Sequence, residues 1–161
     1  MIVTLGIDTG DTAGMLLAGW EPGHREAAFA RAFQCDGDSA PGLLSMILAW
    51  AAEITAAQIE AFDDRPGVRK LYGTRPSVIR AQVTALGCLA EANGIPVFVT
   101  RVSEVKPWID AGDTRLARAG LADITAPAAM RHARSAAWHA LFCAVRHCGV
   151  PDPASRKAAA R

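Results

Sequence analysis

The sequence lacks any apolar run approaching the roughly 18 residues that a membrane-spanning helix needs. Its longest apolar stretch, Leu43 to Ile54, is interrupted by Ser45 and Glu53. No charged-then-apolar segment opens the chain, so no secretory signal is expected. Cysteine is scarce: Cys35, Cys88, Cys143 and Cys148 include no Cys-x-x-Cys pair, which argues for free thiols over a disulfide framework. A strong charge imbalance is absent too, the net being +1, so the overall balance announces no polyanionic partner. No Gly-x-x-x-x-Gly-Lys-Ser/Thr loop exists to support P-loop nucleotide hydrolysis. No internal repeat or low-complexity block occurs. What remains is the expectation of a soluble, cytoplasmic chain with one main domain over residues 1–150, large enough for a sizeable core, and a flexible tail over 151–161.

The chain is organised around its opening, Val3-Thr4-Leu5-Gly6-Ile7-Asp8-Thr9-Gly10. The apolar and β-branched residues before Asp8 predict a buried strand, and the glycines and threonines after it predict a tight turn into a second strand, Met15 to Trp20. Asp8 then stands near the end of a central strand. An isolated buried charge there would cost many kcal/mol, so the carboxylate needs water, a hydrogen-bond network or a cation. An Asx-type cap of the turn is the structural alternative.

Glu26 to Gln34 can supply a third strand, although its alternating alanines are weak strand formers. Pro41 follows the capping candidate Ser39, and Leu43, Ile47, Trp50 and Ile54 recur at helical spacing, predicting a helix over Pro41–Ile54. Ala56 to Phe62 reads as a fourth strand with Glu60 near its C-terminal end. Asp63 to Pro76 is a long loop, of the kind that in compact domains is often functional. A helix over Ser77–Asn93 ends at Gly94, and Ile95 to Thr100 is a strand. Val105–Ile109 is a brief amphipathic segment and Asp113–Ala119 a short helix. Thr125 is a plausible cap before Pro127, and a final helix spans Ala128–Cys148, with Met130, Ala133, Ala137, Leu141, Ala144 and Cys148 on its buried face. Three antiparallel strands followed by parallel additions, with helices on the faces, make a mixed α/β sheet.

If the first and fourth strands are neighbours, Asp8 and Glu60 meet, and two like charges at that range persist only with something positive between them. Magnesium suits such a pair, being a hard ion that takes oxygen ligands and keeps waters. On the last helix, His132 and His139 lie within ~20° of each other and Ser135 ~60° aside, a polar strip beside alanines that let the helix lie close on the sheet. His139, Cys143 and His147 fall at i, i+4 and i+8, a second candidate metal set. Basic residues cluster at Arg65, Arg69, Lys70, Arg75 and Arg80, and again at Arg131, Arg134, Arg146, Arg156, Lys157 and Arg161. Such clusters can neutralise phosphates even in a chain of balanced charge, although a solvated surface is the commoner reason for them.

In order, Gly6-Ile7-Asp8-Thr9-Gly10, Ile59-Glu60, Val105-Lys106-Pro107-Trp108 and His132-Ala133-Arg134-Ser135-Ala136 resemble the RuvC-type Holliday junction resolvases, most nearly the RuvC-like proteins of bacteriophages and actinobacteria. The resemblance runs from Val3 to Pro153. It implies a ribonuclease H-like fold, with a five-stranded mixed sheet and helices on both faces. It also implies a homodimeric endonuclease that nicks branched DNA using Mg²⁺, or Mn²⁺ in its place. In such sites two metals, roughly 4 Å apart, activate water and stabilise the leaving oxygen. By this resemblance Asp8, Glu60 and His132 are catalytic residues and metal ligands. Lys106, Arg131, Arg134, Arg65, Arg69, Lys70 and Arg75 are DNA-binding, and Tyr72 is better placed than Phe62 to enter the junction.

One position departs from the pattern. Three residues after His132, where the family has an Asp, stands the catalytic candidate Ser135. Its neutral hydroxyl is a poor magnesium ligand. Cleavage is then weakened or lost with junction binding kept, Asp11 or Asp123 compensates, or the serine is an engineered change. Asp8-Thr9-Gly10 also resembles the first phosphate motif of sugar kinases and actin-like ATPases, but those enclose nucleotide between two lobes and this chain has room for one.

Overall fold

The structure, a computed structural model, describes residues 1–51, 53–61, 76–108 and 114–155. Five strands form one sheet: β1 (Ile2–Asp8), β2 (Thr12–Trp20), β3 (Phe29–Asp36), β4 (Ala56–Ala61) and β5 (Val97–Arg101). Their spatial order is β3-β2-β1-β4-β5. β1 pairs antiparallel with β2, and β2 with β3. β4 joins the other side of β1 in parallel, and β5 follows it in parallel. Three parallel strands therefore end at one edge of the sheet, with β1 at the centre.

Both faces of the central strands are covered, and side chains alternate between two cores. Val3, Leu5, Ile7, Met15, Leu17, Ala57 and Ile59 pack on one face with helix α1 (Ala40–Trp50) and α2 (Pro76–Ala92). Leu16, Ala18 and Trp20 pack on the other, beneath α5 (Arg131–His147) and the short helices α3 (Val102–Val105) and α4 (Thr114–Arg118). Among the described residues no helix is long and apolar enough to cross a membrane. The expected five-stranded, ribonuclease H-like mixed sheet with helices on both faces is what forms.

Several boundaries differ from the sequence expectation for identifiable reasons. α1 ends at Trp50 rather than Ile54. The chain must leave the helix there, because Thr55 ties itself to β1: its amide donates to the Val3 carbonyl at 2.7 Å and its hydroxyl accepts from the Val3 amide at 3.0 Å. β2 begins at Thr12, since its ladder with β1 continues to Asp8↔Gly14 and its ladder with β3 to Thr12↔Asp36. α3 starts directly after β5, so the short helix precedes the expected segment at Val105. Ala128–Met130 is a 3₁₀ turn leading into α5, and Met130 and Cys148 are only half-buried. Thr125 caps nothing; its buried hydroxyl donates to the Leu121 carbonyl at 3.1 Å.

Residues 151–155, expected to belong to a frayed tail, are tied to the body. Arg115 grips Asp152 through two nitrogens at 3.0 and 3.2 Å, donates to the Trp108 carbonyl at 2.7 Å and stacks over the Trp108 ring. Arg25 holds the Ser155 carbonyl at 3.0 Å. The remainder of the tail, 156–161, lies outside the described residues.

Candidate active site

The site is built where α5 crosses the ends of β1 and β4. Close approach is possible because the sheet presents glycines and the helix presents alanines. A Cβ at Gly6 would run into the carbonyl oxygen of Ala136 and the amide nitrogen of Ala140, and one at Gly14 would meet the backbone of His132 and Ala133. Thr4, on the same face of β1, donates its hydroxyl to the Ala140 carbonyl at 2.9 Å. Gln34 of β3 fixes the start of the helix, accepting from the His132 amide at 3.1 Å and donating to the Ala129 carbonyl at 2.6 Å. It serves the free N–H groups that every helix start leaves.

With α5 held there, its polar strip falls on the two strand-end carboxylates. His132 Nδ1 lies 2.9 Å from Asp8 Oδ2. Arg131 Nε, which can only donate, points at His132 Nε2 from 3.1 Å. The ring proton of His132 therefore sits on Nδ1, where it is donated to Asp8. Ser135 Oγ donates to Glu60 Oε2 at 3.0 Å, and His139 Nε2 meets the same oxygen at 2.9 Å. His139 is buried and its Nδ1 has no partner among the described residues. A buried lone pair there costs less than a buried unmatched N–H, which places the proton on Nε2, donated to Glu60.

Asp8 is buried, only 7 % exposed. Burial pushes its pKa up from 3.8 to about 6; the His132 hydrogen bond works against this and the nearby charge of Glu60 adds to it. Among the described residues the side-chain partners of the carboxylate pair are His132, Ser135 and His139. The turn after Asp8 is fixed from α2: buried Gln82 accepts from the Gly10 amide at 3.1 Å and donates to the Gly10 carbonyl at 3.2 Å. Gly37 packs against that pair with no room for a Cβ. Thr9 donates its hydroxyl to the Glu60 carbonyl at 3.2 Å, joining the ends of β1 and β4.

The structure therefore brings together Asp8, Glu60, His132 and Ser135. It adds His139, which the sequence placed on the strip and in the second candidate metal set, and the supporting Gln34 and Gln82, which carry no local motif. His132 is a hydrogen-bond donor to Asp8 in this arrangement. Asp11 and Asp123 are both exposed, and among the described residues no three His, Cys, Asp or Glu side chains are grouped to hold a metal ion. The second candidate metal set falls apart. His139 serves Glu60, the Cys143 thiol is hydrogen-bonded to Cys148, and His147 stacks on Phe98 with ring centroids 3.7 Å apart. Lys106 and Arg131 are exposed and Arg134 is half-buried. Lys106 ends α3, which follows β5 at the same sheet edge as Asp8 and Glu60. Phe62, Arg65, Arg69, Lys70, Tyr72 and Arg75 lie outside the described residues.

Among solved structures, the chain is similar to Thermus thermophilus RuvC, with a TM-score of 0.62 and 18% identity over 89% of this chain and 93% of that one. The fold is RuvC-like. A second structure, T. thermophilus RuvC in complex with Holliday junction substrate, matches at a TM-score of 0.60 and 17% identity, again over 89% of this chain and 93% of that one. No protein-family model and no curated protein sequence matches the chain. The RuvC-like likeness therefore rests on three-dimensional arrangement.

Proposed function

We propose that this chain is a structure-selective endonuclease that resolves Holliday junctions or related branched DNA. The observation that carries the reading is the convergence of Asp8 and Glu60 at the ends of adjacent parallel strands, under the three donors of α5. The RuvC likeness, which includes a junction-bound structure, supports it. The donor set fits a hard divalent cation such as Mg²⁺ or Mn²⁺: two carboxylates whose partners among the described residues are a serine and two histidines, with waters and phosphate to fill the remaining positions. Such an ion, when bound, supplies a polarised water and charge stabilisation for phosphodiester hydrolysis.

The chain's own residues do the rest. Asp8 and Glu60 would hold the ion, and His132, Ser135 and His139 orient their carboxylates. Lys106, Arg131 and Arg134 would receive backbone phosphates, with the basic residues of the 62–75 segment extending that surface. A homodimer fits the junction's symmetry. The outward faces of α1 and α2 suit a dimer contact: α1 carries no charged residue, and Met46, Trp50 and Val78 are exposed at 70, 55 and 36 %. Sedimentation of the full chain at twice the monomer mass would support it, and monomer mass at micromolar concentration would count against it.

The test is a labelled four-way junction in Mg²⁺ or Mn²⁺. The unsubstituted chain should nick opposed strands, while Asp8→Asn and Glu60→Gln should bind the junction but cleave it at least ~10³-fold more slowly. A second reading, a branched-DNA binder without cleavage, is favoured by Ser135 standing where the resemblance expects an acid. Tight binding with no nicks in either metal would decide for it.

A further inference from the structure

Building on the nuclease reading above, we propose that this site takes a single divalent cation, held between Asp8 and Glu60, and that Ser135 and His139 are positioning residues whose donor groups leave no place for a second. Two carboxylates carry two negative charges, which one divalent ion balances. A second ion would leave two uncompensated positive charges beside the buried Asp8, which costs more than it would in open water.

The hydrogen bonds point the same way. Every bond that described residues make to the two carboxylates falls on Asp8 Oδ2 or Glu60 Oε2. Among the described residues nothing bonds to the other oxygen of each carboxylate, Asp8 Oδ1 and Glu60 Oε1, and this pair would hold one ion. Glu60 Oε2 takes two donors at once, the Ser135 hydroxyl and the His139 ring N–H, and is thereby withdrawn from metal binding. His132 is likewise committed through both nitrogens, one to Asp8 and one to Arg131. The grouping of acids and imidazoles needed for a fuller cage is absent among the described residues. Mg²⁺ commonly binds through one or two carboxylates with its other positions filled by water and phosphate, so one ion needs no further protein ligand.

Mn²⁺ titration of the full chain, followed by electron paramagnetic resonance, counts the ions and reports whether two are spin-coupled. One Mn²⁺ per chain with the spectrum of an isolated ion is expected. Asp8→Asn should lose that ion, and Ser135→Asp should gain a second, spin-coupled one. Two ions per unsubstituted chain, or a folded Ser135→Asp variant that stays at one, would overturn the proposal. Junction nicking measured on the same samples separates the two readings. Two ions with nicking would overturn the one-ion proposal alone, whereas no ion and no nicking would overturn the nuclease reading with it.

Discussion

Asp152 and Asp8 are both carboxylates drawn out of water, and the chain treats them in opposite ways. Burial alone would raise the pKa of Asp152, but Arg115, the Ala154 amide and Trp108 outweigh it and hold the group below the ordinary carboxylate range. Arg115 meets it with two nitrogens and is itself packed on Trp108. Asp8 is more deeply buried, sits beside a second acid and receives one imidazole N–H, so its pKa rises to about 6. A chain that pairs one carboxylate with a guanidinium has the means to pair the other. Among the described residues Asp8 and Glu60 meet only a serine and two histidines, and carboxylates placed together in this way are a cost to stability of the kind that concentrates at functional sites.

The comparison breaks most completely if α5 is lifted from the sheet. Gly6→Ala pushes a methyl group into the backbone of Ala136 and Ala140, which cannot shift cheaply. We expect a loss of about 3 kcal/mol or more in chemical denaturation, with cleavage lost, because His132, Ser135 and His139 all ride on that helix. Destabilisation below about 1 kcal/mol would show that the helix does not press on β1 there.

The two carboxylates should also give stability opposite pH dependences. Asp8 has a folded-state pKa raised from 3.8 to about 6, so the folded chain holds its proton more tightly than the unfolded chain. Its contribution therefore falls as pH rises from about 4 to about 6, by at most about 3 kcal/mol. Asp152 is depressed in the folded state, so the stability that it adds is present above the unfolded pKa and is lost on acidification. Denaturation in chelator across pH 4–7 (on the order of ten points), with Asp8→Asn and Asp152→Asn beside the parent, separates them. The first variant should flatten the fall between about 4 and 6, and the second should weaken the loss at lower pH. An unchanged slope in Asp8→Asn would mean that the carboxylate is not buried.

The smallest effect is at the C-terminal anchor. Arg115→Ala removes a partly exposed ion pair, a carbonyl contact and a stacked ring, for about 1–2 kcal/mol, with junction cleavage unchanged. Equal loss of cleavage would tie this region to the site and erase the contrast.

Much of the site was legible before the fold was seen. The apolar run ending in Asp8, the short strand ending in Glu60 and the helical spacing of His132, Ser135 and His139 each follow from local periodicity. The alanines of the last helix indicated a close helix–sheet contact, whereas the part played by Gly6 emerges only from the packing. Which carboxylate each donor meets was not legible, because that depends on how α5 crosses β1 and β4, a property of packing rather than of spacing. Gln34 and Gln82 were invisible for the same reason: they bond to residues 98 and 72 positions away, and a lone glutamine marks no such partner. The early end of α1 likewise follows from the pairing of Thr55 with Val3, which no helix propensity encodes.

The most direct test is a crystal soaked in Mn²⁺ and examined by anomalous scattering. The account predicts a peak within coordination distance of one oxygen of Asp8 and one of Glu60, with Ser135 and His139 still bonded to Glu60. Anomalous density absent there at millimolar Mn²⁺, with both carboxylates unmoved, would contradict it.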